Sequence, residues 1–182
     1  MPAPPLAHGG DDAAALAEGA FVIAHHEQDQ AAAREALETA VSLSPSLAFA
    51  YTMGAIVSGW GGAAERAIEW GEQALRLSPL DPHAFGAWHG LGLGFFTQGR
   101  YEEAANAERR AIQRNPGFSV LHLMLAAALV KLGRIDEAKA AAARLLALEP
   151  GFRIVEWLAA TEPAAAIAVP LTEALRASGL PN

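Results

Sequence analysis

The chain has 182 residues, enough for one domain or one extended repeat array. Lys+Arg 13 against Asp+Glu 20 leaves a formal charge of −7, which argues against nonspecific nucleic-acid binding, because that rests on neutralising phosphates. Cysteine is absent, so there is no disulfide framework and no thiolate metal site, and 52% hydrophobic content with only 7% aromatics suits close-packed alanine-rich helices rather than a thick sheet core.

Met1 to Gly10 hold three prolines and two glycines without periodicity, and 1–11 is expected to be a flexible lead-in. That stretch lacks a charged start and an apolar h-region, so it is not a secretory signal. Asp11 or Asp12 can cap a first helix that runs to about His26, with a partner helix over about Ala31 to Leu43. After Ser44-Pro45 come Ala48–Ser58, the glycine-rich turn Gly59-Trp60-Gly61-Gly62, and Ala63–Leu77. In the longer connection Ser78 to Pro82, Asp81 and Pro82 are placed as cap and first helical residue.

Phe85 to Pro116 is the clearest segment. Trp88, Leu91, Gly92 and Phe95 recur at three- and four-residue steps and share one helical face. Gly99 ends that helix as a left-handed cap. In the run that follows, Ala104, Ala107, Ala111 and Ile112 are apolar while Glu102, Glu103, Arg109 and Arg110 lie outside, and Asn115-Pro116 ends it. Val120–Leu132 and Asp136–Leu148 make a fourth hairpin around Gly133. The longest apolar run, within Val120–Val130, is too short to span a bilayer. Beyond it, Gly151–Ala160 starts as another first helix, Thr161-Glu162-Pro163 is a break, and Ala164–Ser178 is helical until Gly179-Leu180-Pro181. Pro170 inside that last run, at about 3 kcal/mol for an interior proline, predicts a kink or two short helices.

Pro45 to Pro79, Pro82 to Pro116 and Pro116 to Pro150 are each 34 residues, and the three from Pro79 to Pro82 are the only break in phase. Small residues recur in register as Ala33, Ala67, Ala104 and Ala138, facing Ala55, Gly92 and Ala126 on the preceding helices, with Phe21 in the first unit. A fixed period of this length means a repeat array. The order Trp88, Leu91-Gly92, Phe95, Ala104, Pro116 resembles the tetratricopeptide repeat (TPR). The resemblance implies an all-α fold, a right-handed α-solenoid of about four helix-turn-helix hairpins. The units are 12–45, 47–79, 83–116 and 117–150, followed by a C-terminal helical cap over 151–182 that covers the last apolar face. In such packing small residues meet where helices cross and Trp88 fills the gap beside the crossing, so Trp88→Ala is expected to cost about 3–5 kcal/mol.

A narrower likeness lies in LSPLDPHAF (77–85), GRYEEAA (99–105), NPGFSVLHLMLAAALVKLGRIDEA (115–138), LEPGFRI (148–154) and EALRASGLP (173–181). These strings resemble the C-terminal repeats of bacterial class III adenylate/guanylate cyclases and related signalling proteins, where a catalytic or DNA-binding domain precedes them. That resemblance implies a regulatory or assembly role. No cyclase domain accompanies the repeats, which leaves a fragment, a stand-alone relative or an excised piece.

The family's groove places fall on Val22, His25, Phe49, Thr52, Ile56, His89, Leu93, Phe96, Val120, Leu123 and Ala127, with Trp60 and Lys131 at the rim. This apolar, nearly uncharged trough suits an amphipathic helix or apolar peptide of a protein partner. A clamp for a terminal carboxylate is not expected, because the corresponding faces offer Glu18, Thr52, His89 and Leu123, with Lys131 the only base nearby. No histidine pair has the spacing of a helical zinc site, so no metal is expected. Gly90-Leu91-Gly92-Leu93-Gly94 sits inside a helix, where Gly92 occupies the small-residue site, and is not a phosphate loop; no cofactor is expected. No serine stands in a recognisable nucleophile motif. The expectations are therefore a non-catalytic, cytoplasmic binding module, or alternatively a regulatory or oligomerising segment of a cyclase or transcriptional regulator. A homodimer would use the tail at Phe152, Trp157 and Leu171.

Overall fold

A computed structural model describes residues 8–24 and 29–182, the side chains of 8–11 excepted. The described residues form ten α-helices and no strand. They are α1 His8–Val22, α2 Gln30–Leu43, α3 Ala48–Trp60, α4 Ala64–Leu77, α5 Ala84–Thr97, α6 Tyr101–Arg114, α7 Ser119–Lys131, α8 Ile135–Leu148, α9 Ile154–Thr161 and α10 Ala165–Ala177. The first eight form four hairpins stacked into an α-solenoid. None of the described helices is long and apolar enough to cross a membrane.

The turns are chemically alike. Gly62, Gly99 and Gly133 stand in phase with φ of 77°, 74° and 73°, a left-handed geometry that glycine adopts without steric cost. The next amide in each case reaches back to close the helix end: Ala63 to Ser58 at 2.8 Å, Arg100 to Phe95 at 2.9 Å and Arg134 to Leu129 at 2.9 Å. The matching position of the first hairpin, Gln28, and the expected helix end at His26 lie outside the described residues. On the far side of that turn, Asp29 caps α2 by accepting from the amides of Ala31 and Ala32.

Some local expectations need correcting. Helix α1 runs from His8, so residues 8–10 are helix rather than lead-in, and Asp11 and Asp12 lie inside the helix, not ahead of it as a cap. Helix α5 begins at Ala84, not Pro82: Asp81 Oδ1 accepts from the His83 amide at 2.7 Å, making a turn ahead of the helix. Trp60 is the last residue of α3 and is buried, not part of an open turn. Helix α10 is continuous across Pro170. That proline sits in the second turn and forfeits one backbone bond, while Ile167 and Leu171 on either side of it are fully buried and hold the helix.

Trp88, expected to fill the gap beside its own hairpin's crossing, is only half-buried on α5, and the buried indole at a hairpin crossing is Trp70, between α3 and α4. A Cβ at Gly54 would lie 1.7 Å from Trp70 Cε3, so only glycine leaves room for the indole. Trp88 is half-buried, with the guanidinium carbons of Arg110 and Arg114 at 5.0 and 5.9 Å from its ring centre. Two apolar clusters result. One gathers Ala13, Ala17, Leu37, Ala55 and Trp70. The other runs from Trp60 and Leu93 through Leu123 and Leu145 to Ile167 and Leu175.

The tail does not extend the stack past α8. Helix α10 packs on α7, with smaller contacts to α5 and α9. Its leading residue, Ala164, donates its amide to the Trp60 carbonyl at the end of α3 at 2.9 Å. Lys131 on α7 pairs with Glu173 at 3.2 Å, and the Ile154 amide donates to the Pro181 carbonyl at 3.0 Å. The tail therefore crosses the first helices of three successive hairpins, which is the inner flank of the solenoid.

Candidate functional site

That inner flank carries the residues expected to line a groove, but they are not equally accessible. Leu93, Phe96, Leu123 and Ala127 are buried to 1% exposure or less and belong to the same apolar cluster as Ile167, Leu171 and Leu175 of the tail. Thr52 is also buried, its hydroxyl donating to the Ala48 carbonyl at 3.0 Å. Phe49 packs half-buried in the N-terminal cluster, and Val22 is exposed. Lys131 pairs with the tail's Glu173. His25 falls outside the described residues. The C-terminal half of this flank holds the chain's own last helix.

The same docking changes the tail residues expected to carry a homodimer. Leu171 is fully buried, Phe152 is 6% exposed, and Trp157 is half-buried against Trp60 with ring centres 5.5 Å apart. Their apolar surface is used within the chain.

What remains open is a pocket of about 260 Å³, lined by Phe21 of α1, Ile56 and Trp60 of α3, His89 of α5, Phe118, Ser119 and Val120 at the start of α7, Glu149, and Trp157 and Thr161 of α9. Ile56, Trp60, His89 and Val120 are groove residues by the sequence reading; the pocket brings these four together with Trp157. Its walls are chiefly aromatic. The Trp60 ring centre lies 5.7 Å from that of His89 and 5.5 Å from that of Trp157. The Ser119 hydroxyl donates to Glu149 at the rim.

Beneath the pocket lies a polar pair that sequence reasoning missed. His89 Nδ1 is 3.0 and 3.2 Å from the two carboxylate oxygens of Glu108 on α6, and both side chains are almost completely buried. Burial pushes the Glu108 carboxyl above its ordinary value, and the charge and hydrogen bond of His89 pull the other way. Gly92 makes the space: a Cβ there would stand 2.3 Å from Glu108 Oε1. The far ring nitrogen, His89 Nε2, is buried without a partner; among the described residues the only other such side-chain atom is Trp88 Nε1. A signal for Glu108 was present in the repeat. One unit before and one after, its in-phase positions are Gly71 and Ala142, and two units before it is Leu37. All three are buried and non-polar, and a carboxylate breaks the series.

The lining combines aromatic and aliphatic walls with the His89 imidazole, the Ser119 and Thr161 hydroxyls and the Glu149 carboxylate. Among the described residues no three His, Cys, Asp or Glu side chains converge as metal donors. Among the described residues no serine or threonine hydroxyl is hydrogen-bonded to His89.

Comparison with known proteins agrees with the fold. Residues 95–169 match the family model described as tetratricopeptide repeat. The small glutamine-rich tetratricopeptide repeat-containing protein 2 of Mycosarcoma maydis is 32% identical over 105 residues, which are 58% of this chain and 29% of that protein. The chain thus spans under a third of that curated relative. Among solved structures, TTC0263, a thermophilic TPR protein of Thermus thermophilus, is similar with a TM-score of 0.66 at 20% identity, over 93% of this chain and 86% of that one. YrrB, described as a TPR protein with an unusual peptide-binding site, gives 0.58 at 20% identity over 92% and 87%. MamA of Desulfovibrio magneticus RS-1 gives 0.62 at 20% identity over 79% and 78%.

Proposed function

We propose that this chain, a tetratricopeptide α-solenoid, is a non-catalytic, cytoplasmic interaction module that takes an apolar segment of a partner protein on the part of its inner flank left open by the tail. The observation that carries the reading is the pocket, where α1, α3, α5, α7 and α9 converge on one aromatic-walled concavity. Concave, mostly apolar sites with a few polar groups are where proteins hold ligands. The tail indicates what the rest of the flank accepts. Helix α10 buries Ile167, Leu171, Ala174 and Leu175, spaced i, i+4, i+7 and i+8, which is the face of an amphipathic helix laid in a groove. The description of YrrB as having a peptide-binding site supports a peptide as the kind of partner.

The test is selection of peptides from a random displayed library against the full chain, followed by rebinding to an Ile56→Glu, Val120→Glu variant. Both residues are half-buried pocket walls, so two carboxylates there should weaken binding about tenfold or more with helical circular dichroism retained. A library that yields no enriched peptide, or peptides that bind the variant equally, defeats the reading. The regulatory or oligomerising role implied by the likeness to cyclase C-terminal repeats rests on those sequence strings alone, and the geometry does not favour it.

A further inference from the structure

The pocket on the inner flank has a charge as well as a shape. Glu149, the residue after α8, is exposed and lines it. Its Oε1 accepts from the Ser119 hydroxyl at the start of α7, and its Oε2 has no partner among the described residues. The carboxylate is thus tied to α7 with one oxygen unused. Among the described residues no Lys or Arg lines the pocket. The adjoining cleft shares Glu149 and Trp157 and adds a second acid, Glu156. The base in that cleft, Arg153, donates from its guanidinium to the Phe152 carbonyl at 3.1 Å.

The rings call for the same sign of ligand. The face of an aromatic ring is electronegative and attracts a cation within about 6 Å of its centre, most strongly over tryptophan. This chain makes that contact repeatedly. Arg66 lies 5.6 Å from the Trp70 ring centre, Arg100 4.3 Å from that of Phe95 and Arg110 5.0 Å from that of Trp88. Among the described residues no cation covers Trp60, Trp157 or Phe118, three of the rings that line the pocket. A carboxylate or phosphate would enter against acids and without a counter-charge. A neutral apolar side chain would use the walls and leave the carboxylate unused. A cation on an apolar stem uses both. Of the two basic side chains, arginine suits better: its planar guanidinium stacks on aromatic faces, is more weakly hydrated than an ammonium, and presents a fork of donors to a carboxylate. The volume of about 260 Å³ is below the roughly 300–1,000 Å³ of drug-sized ligand sites and fits one large side chain.

We infer that the pocket receives an arginine side chain of the partner segment, with its guanidinium against the tryptophan rings and paired with the free oxygen of Glu149. The inference rests on the inner-flank reading above and specifies the residue received there. Ile56 and Val120 pack on the arginine stem, Trp60 and Trp157 attract the guanidinium, and Ser119 is a positioning residue for Glu149. Trp157 belongs to the tail, so the arginine site is complete only when the tail is docked.

Two measurements test it. The first uses the peptides selected from the displayed library, which should share an arginine. Replacing that arginine by citrulline, which keeps the shape and removes the charge, should weaken binding about tenfold. Glu149→Gln, at an exposed position whose amide oxygen can still accept from Ser119, should keep the melting temperature. It should weaken the arginine peptide about tenfold and leave the citrulline peptide unchanged. The second measurement titrates N-acetyl-arginine methylamide into the full ¹⁵N-labelled chain, with the citrulline analogue as control. The Trp60 and Trp157 indole resonances should shift with the arginine compound alone, and less at about 0.5 M salt, where charges are screened. Peptides that depend on Ile56 and Val120 but carry no arginine, or that bind equally with citrulline, overturn the inference and leave the flank reading standing. Equal effects of Glu149→Gln on both peptides, or unmoved indole resonances, also overturn it. No enriched peptide, together with indole shifts specific to the arginine compound, defeats the flank reading and keeps the cation site.

Discussion

Replacing His89 by leucine, Glu108 by leucine, and both together measures how far the buried pair is coupled. The nitrogen–oxygen distances are 3.0 and 3.2 Å, with side chains 2% and 1% exposed. Removing one member of such a pair typically costs about 3–5 kcal/mol, because the other is left buried and uncompensated, whereas removing both can be neutral or stabilising. Each single variant should therefore lose about 3–5 kcal/mol, and the double variant should recover most of it. That is a large share of the roughly 5–15 kcal/mol of a typical domain. The His89→Leu variant should also be sensitive to pH. Burial already raises Glu108 above 4.5, and deleting His89 removes both causes that lower it. A carboxyl with a raised folded-state pKa stays protonated in the native chain where the unfolded chain has lost its proton. Its contribution is full at pH below the unfolded value and is lost as pH climbs through the folded one. Urea melts followed by circular dichroism should thus show a larger deficit at pH 8 than at pH 5. Single variants within about 1 kcal/mol of the parent, or a double variant as unstable as the two losses summed, would refute the coupling.

The tail offers a second perturbation. Leu171→Asp puts a charge at a fully buried position on α10 and should undock α9 and α10, costing local stability at least the roughly 2–5 kcal/mol of a large-to-small core change. Hydrogen exchange should quicken across 154–177 while α1 to α6 keep their protection; unchanged exchange in the tail would mean docking does not hold it. A third comparison concerns the tryptophans. Trp70→Ala, at a 9% exposed ring wedged against Gly54, should cost about 3–5 kcal/mol, and Trp88→Ala clearly less, since its ring is half-buried beneath two arginines. Thermal melts with the opposite order would show that the ring assignments are reversed.

The hairpins were legible in the sequence because their determinants are local. Gly99 and Gly133 mark left-handed turns, Pro116 and Pro150 mark helix ends, and the 34-residue interval repeats the same short-range chemistry. That Ile56, Trp60, His89 and Val120 would share one flank followed from the same periodicity, and the four line one pocket. The register also held an unread sign at Glu108, where a carboxylate follows Leu37 and Gly71 in phase and precedes Ala142.

The amino-acid sequence by itself determined the helical class and the 34-residue phase of the hairpins, since each depends on residues within one turn or one repeat of each other. Tertiary structure alone decided where the tail goes, that Leu93, Phe96 and Leu123 lie in its cluster, and that Trp60 meets Trp157 and His89 in one pocket. Those outcomes join residues up to about a hundred positions apart through shape complementarity, and no spacing along the chain encodes a surface that exists only once four hairpins have stacked.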